Sequence, residues 1–176
     1  MQSNLGLEGV PLDHQHIDKI QQFNCSDEDK VSTFLKEEAH KLMDRNFVRT
    51  RLFFDTEKNL VGFYSLFNDT IKINKQKRLE LKIKLPDQVN VIPAIRLHYI
   101  GVDDRYRKKR YGEDLLGCVF IESAEIAKRS GCALIVLEST ANAVGFYDKY
   151  QFTHIRKENG YSLMAYNTEK LIELLD

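Results

Sequence analysis

The sequence predicts a mixed α/β fold organised around one pair of parallel strands. Two apolar runs, residues 92–102 and 132–138, are rich in β-branched and aliphatic side chains and are typical of strands. Between them, residues 113–130 repeat apolar side chains three and four positions apart, which is the spacing of an amphipathic helix. A strand, a helical crossover and a second buried strand form a right-handed βαβ unit. We therefore expect an α/β mixed sheet with flanking helices, in a single domain over residues 1–176.

Helical patterns dominate the segment before this unit. Residues 12–22 favour a short helix, and a longer helix is predicted to end near Arg45. Ser26 or Asp27 is expected to cap the longer helix, because a side-chain oxygen can accept an unpaired N–H of its first turn. The apolar face of this helix is predicted to pack in the core through Val31, Phe34, Leu35, Ala39, Leu42 and Met43.

Two antiparallel strands and a lysine-rich stretch follow. Residues 47–54 and 60–67 are predicted strands joined by a turn at 55–59. Residues 71–85 alternate lysines with aliphatic side chains, which predicts exposed strands or a hairpin whose lysines discourage edge-to-edge pairing. A flap that faces a substrate is the alternative for this stretch.

The C-terminal part continues the alternation of helices and strands. After the strand at 132–138, the sequence predicts a helix at 141–150, strands at 152–156 and 161–166, and a final helix at 169–175.

Charge and cysteine usage restrict the function. The chain has 26 Lys and Arg against 26 Asp and Glu, so it has no overall preference for nucleic acid or anionic membrane. Three cysteines without a CxxC pair predict reduced thiols, and His14 and His16 point to different sides of their predicted helix, so we expect no metal site. No apolar run approaches the ~20 residues of a membrane span. We expect a cytoplasmic protein that does not bind a membrane.

A basic turn joins the first parallel strand to the central helix. Five of the eight residues at 105–112 are Arg or Lys. The first N–H groups of a helix have no intrahelical partner, and the helix dipole adds positive charge at the same end. A strand followed by such a turn and a helix is a common way to hold a phosphate group.

Two motifs together resemble the GNAT superfamily of acyl-CoA-dependent N-acetyltransferases. The run from Arg107 to Gly112 is similar to the family's pyrophosphate loop, Arg/Gln-x-x-Gly-x-Gly/Ala, with Arg110 in place of the inner glycine. Phe146, Tyr147 and Phe152 match the family's FYxxxGF string, in which Gln151 here replaces the glycine. The resemblance covers residues 20–166 and implies a central mixed sheet that splays apart at the parallel strand pair and is flanked by helices.

The resemblance implies an acetyl-CoA-dependent N-acetyltransferase and assigns roles to particular residues. Tyr147 would supply a proton to the departing CoA thiolate, because a phenol stays protonated at neutral pH. Asn142 would orient cofactor amides. The pantetheine amides would meet the main chain of Ile100, Gly101 and Val102, and the pyrophosphate would lie at Arg107, Lys108, Lys109, Arg110, Tyr111, Gly112 and Glu113.

The general base is left open by the sequence. Some family members use a glutamate on the first parallel strand, and Arg96 stands at the matching position. His98, on the same face of that strand, and Glu138, at the end of the next one, are the candidates. Deprotonation of the amine through water is the third alternative.

The acceptor amine is also open. The pattern Phe23-x-Cys25-Ser26, with Thr50 and the run 61–64, is similar to the branch of toxins that acetylate aminoacyl-tRNA. Because that branch tends to be basic and this chain is neutral, the sequence favours a protein or small-molecule amine over tRNA. A non-catalytic CoA-binding module is the alternative from another class. An antitoxin partner and a homodimer are left undecided.

Overall fold

A computed structural model describes residues 6–86 and 88–175. In this part of the chain, strands form one seven-stranded mixed sheet in the order β1-β2-β3-β4-β5-β7-β6. The strands are β1 (Glu8–Pro11), β2 (Arg49–Phe54), β3 (Leu60–Lys72), β4 (Val91–Val102), β5 (Leu134–Ser139), β6 (Thr153–Glu158) and β7 (Tyr161–Asn167).

The helices vary widely in length. They are α1 (Ile17–Gln21), α2 (Asp29–Thr33), α3 (Ala39–Asp44), α4 (Lys75–Glu80), α5 (Tyr111–Ser130), α6 (Val144–Lys149) and α7 (Glu169–Leu175). A π-helical turn, Phe34–Glu38, joins α2 to α3, and short 3₁₀ turns lie at His14–His16 and Asp104–Tyr106. None of the helices among the described residues is long and apolar enough to cross a membrane.

The predicted parallel pair is present. Strands β4 and β5 run parallel, with Ala94 opposite Leu134 and Leu97 opposite Leu137, and α5 is the crossover between them. Strand β5 pairs on its other side with β7, antiparallel. The run 134–137 is buried, which is why it lacks the polar alternation of a half-exposed strand.

The chain divides into two compact units. The first contains the residues up to Phe67 together with His98–Val119. Strands β1, β2 and the first part of β3 form its antiparallel meander. Its core lies between this meander and the N-terminal helices, and includes Ile20, Phe23, Phe34, Leu35, Leu52 and Phe63.

The second unit contains Asn68–Leu97 together with the residues from Phe120 onward. Strands β5, β7 and β6 lie in it, with β7 antiparallel to both of its neighbours. Its core includes Ile71, Ile73, Leu81, Ile92, Leu134, Val136 and Leu163.

Two expectations about the helices and strands were wrong. Residues 71–85 were predicted to form exposed strands or a hairpin. Instead, strand β3 continues to Lys72 and helix α4 follows it. The Asn74 side chain caps α4 by accepting the N–H of Lys77 at 2.9 Å, and the helix residues themselves have good helix propensity. Helix α2 begins at Asp29 after Glu28, so neither Ser26 nor Asp27 is its cap.

We expect Gly62→Ala to destabilise the first unit. A Cβ at Gly62 would lie 2.6 Å from the carbonyl oxygen of Gly101 and 2.8 Å from Leu115 Cδ1. Since backbone atoms cannot move aside without shifting the strand, overpacking should cost about 1–3 kcal/mol in the free energy of unfolding, measured in denaturant. Gly117→Ala is the control, because an added Cβ there meets nothing within 4 Å. Equal stability of the two variants would contradict this close approach of β3 and β4.

Candidate functional site

Unpaired backbone donors line the basic turn, residues 105–112, in the first unit. The N–H groups of Lys108, Lys109, Tyr111 and Gly112 donate no hydrogen bond within the described residues. Helix α5 begins in this run, and the first N–H that bonds to the turn itself is that of Glu113, at 2.9 Å from a carbonyl oxygen. Unpaired N–H groups at the start of a long helix favour an anionic ligand.

The backbone of the basic turn adopts the conformation that glycine favours. Lys108 has a φ of 61° and Arg110 a φ of 63°. For an L residue this left-handed conformation costs roughly 1–2 kcal/mol, which the rest of the turn must offset. Arg110 therefore keeps the backbone shape that the family's inner glycine allows. At Gly112 an added Cβ would meet nothing within 4 Å.

The cations of the basic turn differ in what they contact. Lys108 and Lys109 are exposed and make no ion pair with the residues that the structure describes. The ammonium of Lys109 lies 5.5 Å from the centre of the Tyr106 ring. The three arginines form ion pairs: Arg105 with Asp103, Arg107 with Asp27 and Asp104, and Arg110 with Glu113. The two lysines are thus the side chains best able to bind phosphate oxygens.

The end of β4 packs closely against its neighbours. Gly101 is buried, and a Cβ added there would come 2.5 Å from Val31 Cγ1 and 3.3 Å from Phe23 Cζ. Ile100 and Val102 on either side are half-buried. Gly101 is therefore required for packing, whereas hydrogen bonding of this main chain to pantetheine stays a prediction.

Tyr147 is a buried phenol of the second unit. It lies on α6, is 8% exposed, and packs against the rings of Phe146 and Phe152, with centroids 5.2 and 5.6 Å away. Burial raises the pKa of Tyr147 to about 12, so the phenol carries its proton at neutral pH. Gln151, where the family has glycine, has a φ of 64°, which is again a conformation that glycine favours. Asn142 is exposed in the turn before α6.

Arg96 bridges two carboxylates in the second unit. Its Nε donates to Asp69 Oδ2 at 2.5 Å and its Nη1 to Glu138 Oε1 at 3.1 Å. Glu138, a candidate base, is therefore held by a guanidinium. Asp69 was missed by the sequence analysis, because no local pattern links it to a partner 27 positions away.

His98, the other candidate base, lies in an aromatic cluster of the first unit. Its ring centroid is 4.9 Å from that of Phe34, 5.2 Å from Phe67 and 4.5 Å from Tyr99. These contacts give the ring a packing role, and its use as a base stays a prediction. In the described ranges, no three His, Cys, Asp or Glu side chains are arranged to hold a metal ion.

Comparisons with known proteins identify similar chains. No family model matches the sequence. A curated relative, described as the probable toxin TacT of Sinorhizobium fredii, is 28% identical over 139 residues, which are 70% of this chain and 72% of that protein. A solved structure of a tyrosine-to-phenylalanine variant of KacT has a TM-score of 0.81 and 23% identity, over 96% of this chain and 99% of that chain.

AtaT is similar in two structures. In complex with acetyl-methionyl-tRNAfMet it has a TM-score of 0.80 and 18% identity, over 97% of this chain and 99% of that chain. As AtaTR bound with AcCoA it has a TM-score of 0.79 and 18% identity, over 100% of both chains. These likenesses confirm the GNAT-like fold and the resemblance to the toxin-like branch. The preference for a protein or small-molecule acceptor is not confirmed, and the relatives favour the alternative.

Proposed function

We propose that the protein is an acetyl-CoA-dependent N-acetyltransferase that acetylates the amino group of aminoacyl-tRNA. The observation that carries this proposal is the likeness, over 97% of the chain, to AtaT in complex with acetyl-methionyl-tRNAfMet. The acceptor is then the one that the neutral composition disfavoured. Net charge is a poor guide in this case, because the contacts to RNA depend on local clusters of cations.

The basic turn is the proposed pyrophosphate site of acetyl-CoA. The unpaired N–H groups of Lys108, Lys109, Tyr111 and Gly112 would donate to phosphate oxygens, and the two lysine side chains would balance their charge. The structure of AtaTR bound with AcCoA supports this choice of acetyl donor. The main chain at 100–102 and the Asn142 side chain would bind the amides of the pantetheine arm.

Tyr147 would act on the leaving thiolate. The amine attacks the thioester carbonyl, a C–N bond forms, and the C–S bond breaks to release CoA as a thiolate. A thiol has a reference pKa of about 8.5 against about 10 for a phenol, so full proton transfer from the phenol to the thiolate would be uphill. Burial raises the pKa of Tyr147 and makes its phenol a weaker acid still. Tyr147 would therefore stabilise the developing charge by donating a hydrogen bond to sulfur. The proton that the attacking nitrogen loses as the amide forms would reach the thiolate through water.

The chemistry of the acceptor also favours aminoacyl-tRNA. An α-amino group has a reference pKa near 7.8, so about a third of it is neutral at pH 7.5, against roughly 0.1% of a lysine amine. An α-amino acceptor thus needs little help from a protein base. This fits a chain that has Arg96 where some family members have a glutamate, and in which Glu138 is paired with that arginine.

The proposal is tested by following label from acetyl-CoA into bulk aminoacyl-tRNA, deacylated tRNA, peptides and polyamines. We expect label in aminoacyl-tRNA, and we expect it to leave with the amino acid when the ester is hydrolysed. Label in peptides or polyamines without label in aminoacyl-tRNA would overturn the proposed acceptor. No transfer to any acceptor, with acetyl-CoA bound, would favour the non-catalytic alternative.

Four lysines of the second unit are expected to contact the RNA. Lys72, Lys75, Lys82 and Lys84 are exposed and have no ion pair among the described residues, whereas Lys77 is paired with Glu80. Changing all four to Gln should weaken tRNA binding and flatten the slope of log K against log salt by about 0.7–0.9 per lost contact. Acetylation of an aminoacyl-adenosine, which lacks the RNA backbone, is the control and should not change. An unaltered salt slope would contradict this surface.

A further inference from the structure

Two aspartates between β4 and the basic turn bind the segment that precedes α2. The N–H of Asn24 donates to Asp103 Oδ2 at 3.0 Å, and the N–H of Asp104 donates to the carbonyl of Asn24 at 2.9 Å. The N–H of Ser26 donates to both oxygens of Asp104 at 3.1 Å, and Asn24 Nδ2 donates to Asp104 Oδ2 at 2.6 Å. We call residues 24–27 the 24–27 segment. These bonds form a polar clamp between that segment and the start of the basic turn.

The side chain of Arg107 belongs to the same clamp. Its Nη1 donates to Asp27 Oδ2 at 2.6 Å, and its Nη2 donates to Cys25 Sγ at 3.0 Å and lies 3.4 Å from Asp104 Oδ1. Only 34% of the side chain is exposed. The guanidinium is thus turned to the 24–27 segment, although the family motif places this arginine in the pyrophosphate loop.

The carboxylate of Asp104 is charged at neutral pH. Burial raises its pKa, but the hydrogen bonds from Ser26 and the charge of Arg107 outweigh burial and hold that pKa below the usual range of an aspartate. A negative charge therefore lies immediately before the turn that is proposed to bind an anion. By Coulomb's law alone, this charge should weaken the binding of a pyrophosphate.

We propose that Asp104 is a positioning residue for acetyl-CoA, which fixes the basic turn to the 24–27 segment, and that Arg107 braces this clamp instead of binding pyrophosphate. The inference rests on the proposed function, since it concerns the same cofactor. The clamp holds the unpaired N–H groups of the turn in one arrangement before the cofactor arrives, which reduces the entropic cost of binding. If Asp104 acted only through its charge, removing its carboxylate should strengthen acetyl-CoA binding. Because the carboxylate holds the clamp, we expect its removal to weaken binding.

Asp104→Asn is compared with Asp29→Asn, which removes the same charge. Asp29 is exposed in the first turn of α2 and has no side-chain hydrogen bond or ion pair within the described residues. Calorimetry with acetyl-CoA should show binding about tenfold weaker in Asp104→Asn and unchanged or slightly tighter in Asp29→Asn. The value of kcat at saturating acetyl-CoA should stay near that of the wild type. Equal affinity of the two variants would overturn the positioning role.

Asp27→Asn separates the brace from a phosphate ligand. If Arg107 bound pyrophosphate, freeing it from Asp27 would tighten binding. If Arg107 is a brace, Asp27→Asn should weaken acetyl-CoA binding about twofold. The double variant Asp27→Asn with Arg107→Gln should then bind acetyl-CoA no more weakly than Arg107→Gln alone. Tighter binding in Asp27→Asn would overturn the role of Arg107. A wild-type protein that binds no acetyl-CoA would instead overturn the proposed function itself.

Discussion

Tyr147→Phe is expected to lower kcat by about 100-fold or more, with little change in the affinity for acetyl-CoA. The variant removes only the phenolic oxygen from a side chain that is buried against Phe146 and Phe152, so the packing of α6 is kept. The lost hydrogen bond forms to sulfur as its charge develops, so its loss acts on the transition state. A thiol-release assay gives kcat, and calorimetry gives the affinity.

Tyr150→Phe is the matched control for this loss. It removes the same atom from the same helical region, where the Tyr150 ring lies 5.2 Å from the Phe146 ring at a tilt of 59° and 5.3 Å from the ammonium of Lys149. We expect this control to retain its activity. A Tyr147→Phe enzyme with wild-type kcat would contradict the role of the phenol in the leaving step. A selective loss in Tyr150→Phe would transfer the role to that residue.

The parallel pair and its crossover were predictable because their signals are local. Each strand is a short run of β-branched and aliphatic side chains, and the helix between them has an apolar face of regular spacing. The bounds shifted by a few residues, with β5 at Leu134–Ser139 rather than at 132–138. The residues at which a strand begins and ends depend on the strands it pairs with, and a local sequence pattern does not identify those strands.

The stretch 71–85 was misread because its periodicity is ambiguous. Lysines alternating with aliphatic residues fit a strand, but Ile71, Ile73 and Leu81 are buried in the core of the second unit while helix α4 lies between them. The cap at Asn74 is the signal that could have identified this helix, since asparagine before a run of good helix formers is a typical start.

The candidate site could be predicted only in part, because its backbone shape and its side-chain contacts are not both visible in local motifs. Arg110 and Gln151 are departures from glycine in the sequence, yet both adopt positive φ, and the backbone shape is therefore retained. Contacts between side chains that are far apart in the sequence could not be predicted at all. Arg107 was assigned to pyrophosphate by its motif, but its contacts to Cys25 and Asp27 join residues about 80 positions apart.

Gly112→Val is expected to weaken acetyl-CoA binding by about 100-fold or more, because its side chain would occupy the space that the proposed pyrophosphate needs. The protein itself offers no obstacle, since an added Cβ at Gly112 meets nothing within 4 Å. The N–H of Gly112 is one of the unpaired donors, so phosphate oxygens must approach this backbone closely. Calorimetry measures the change, and thermal unfolding without ligand should show a stability close to that of the wild type.

Gly117→Val controls for the substitution itself. Gly117 lies on the same helix, α5, and an added Cβ there also meets nothing within 4 Å, so the same substitution is made without a clash at Cβ. Only the substitution in the basic turn, Gly112→Val, should weaken the binding of acetyl-CoA. Undiminished affinity in Gly112→Val would place the pyrophosphate elsewhere, and equal losses in both variants would mean that the effect comes from the helix. A loss confined to Gly112→Val would place the cofactor against the first turn of α5, where the unpaired N–H groups lie.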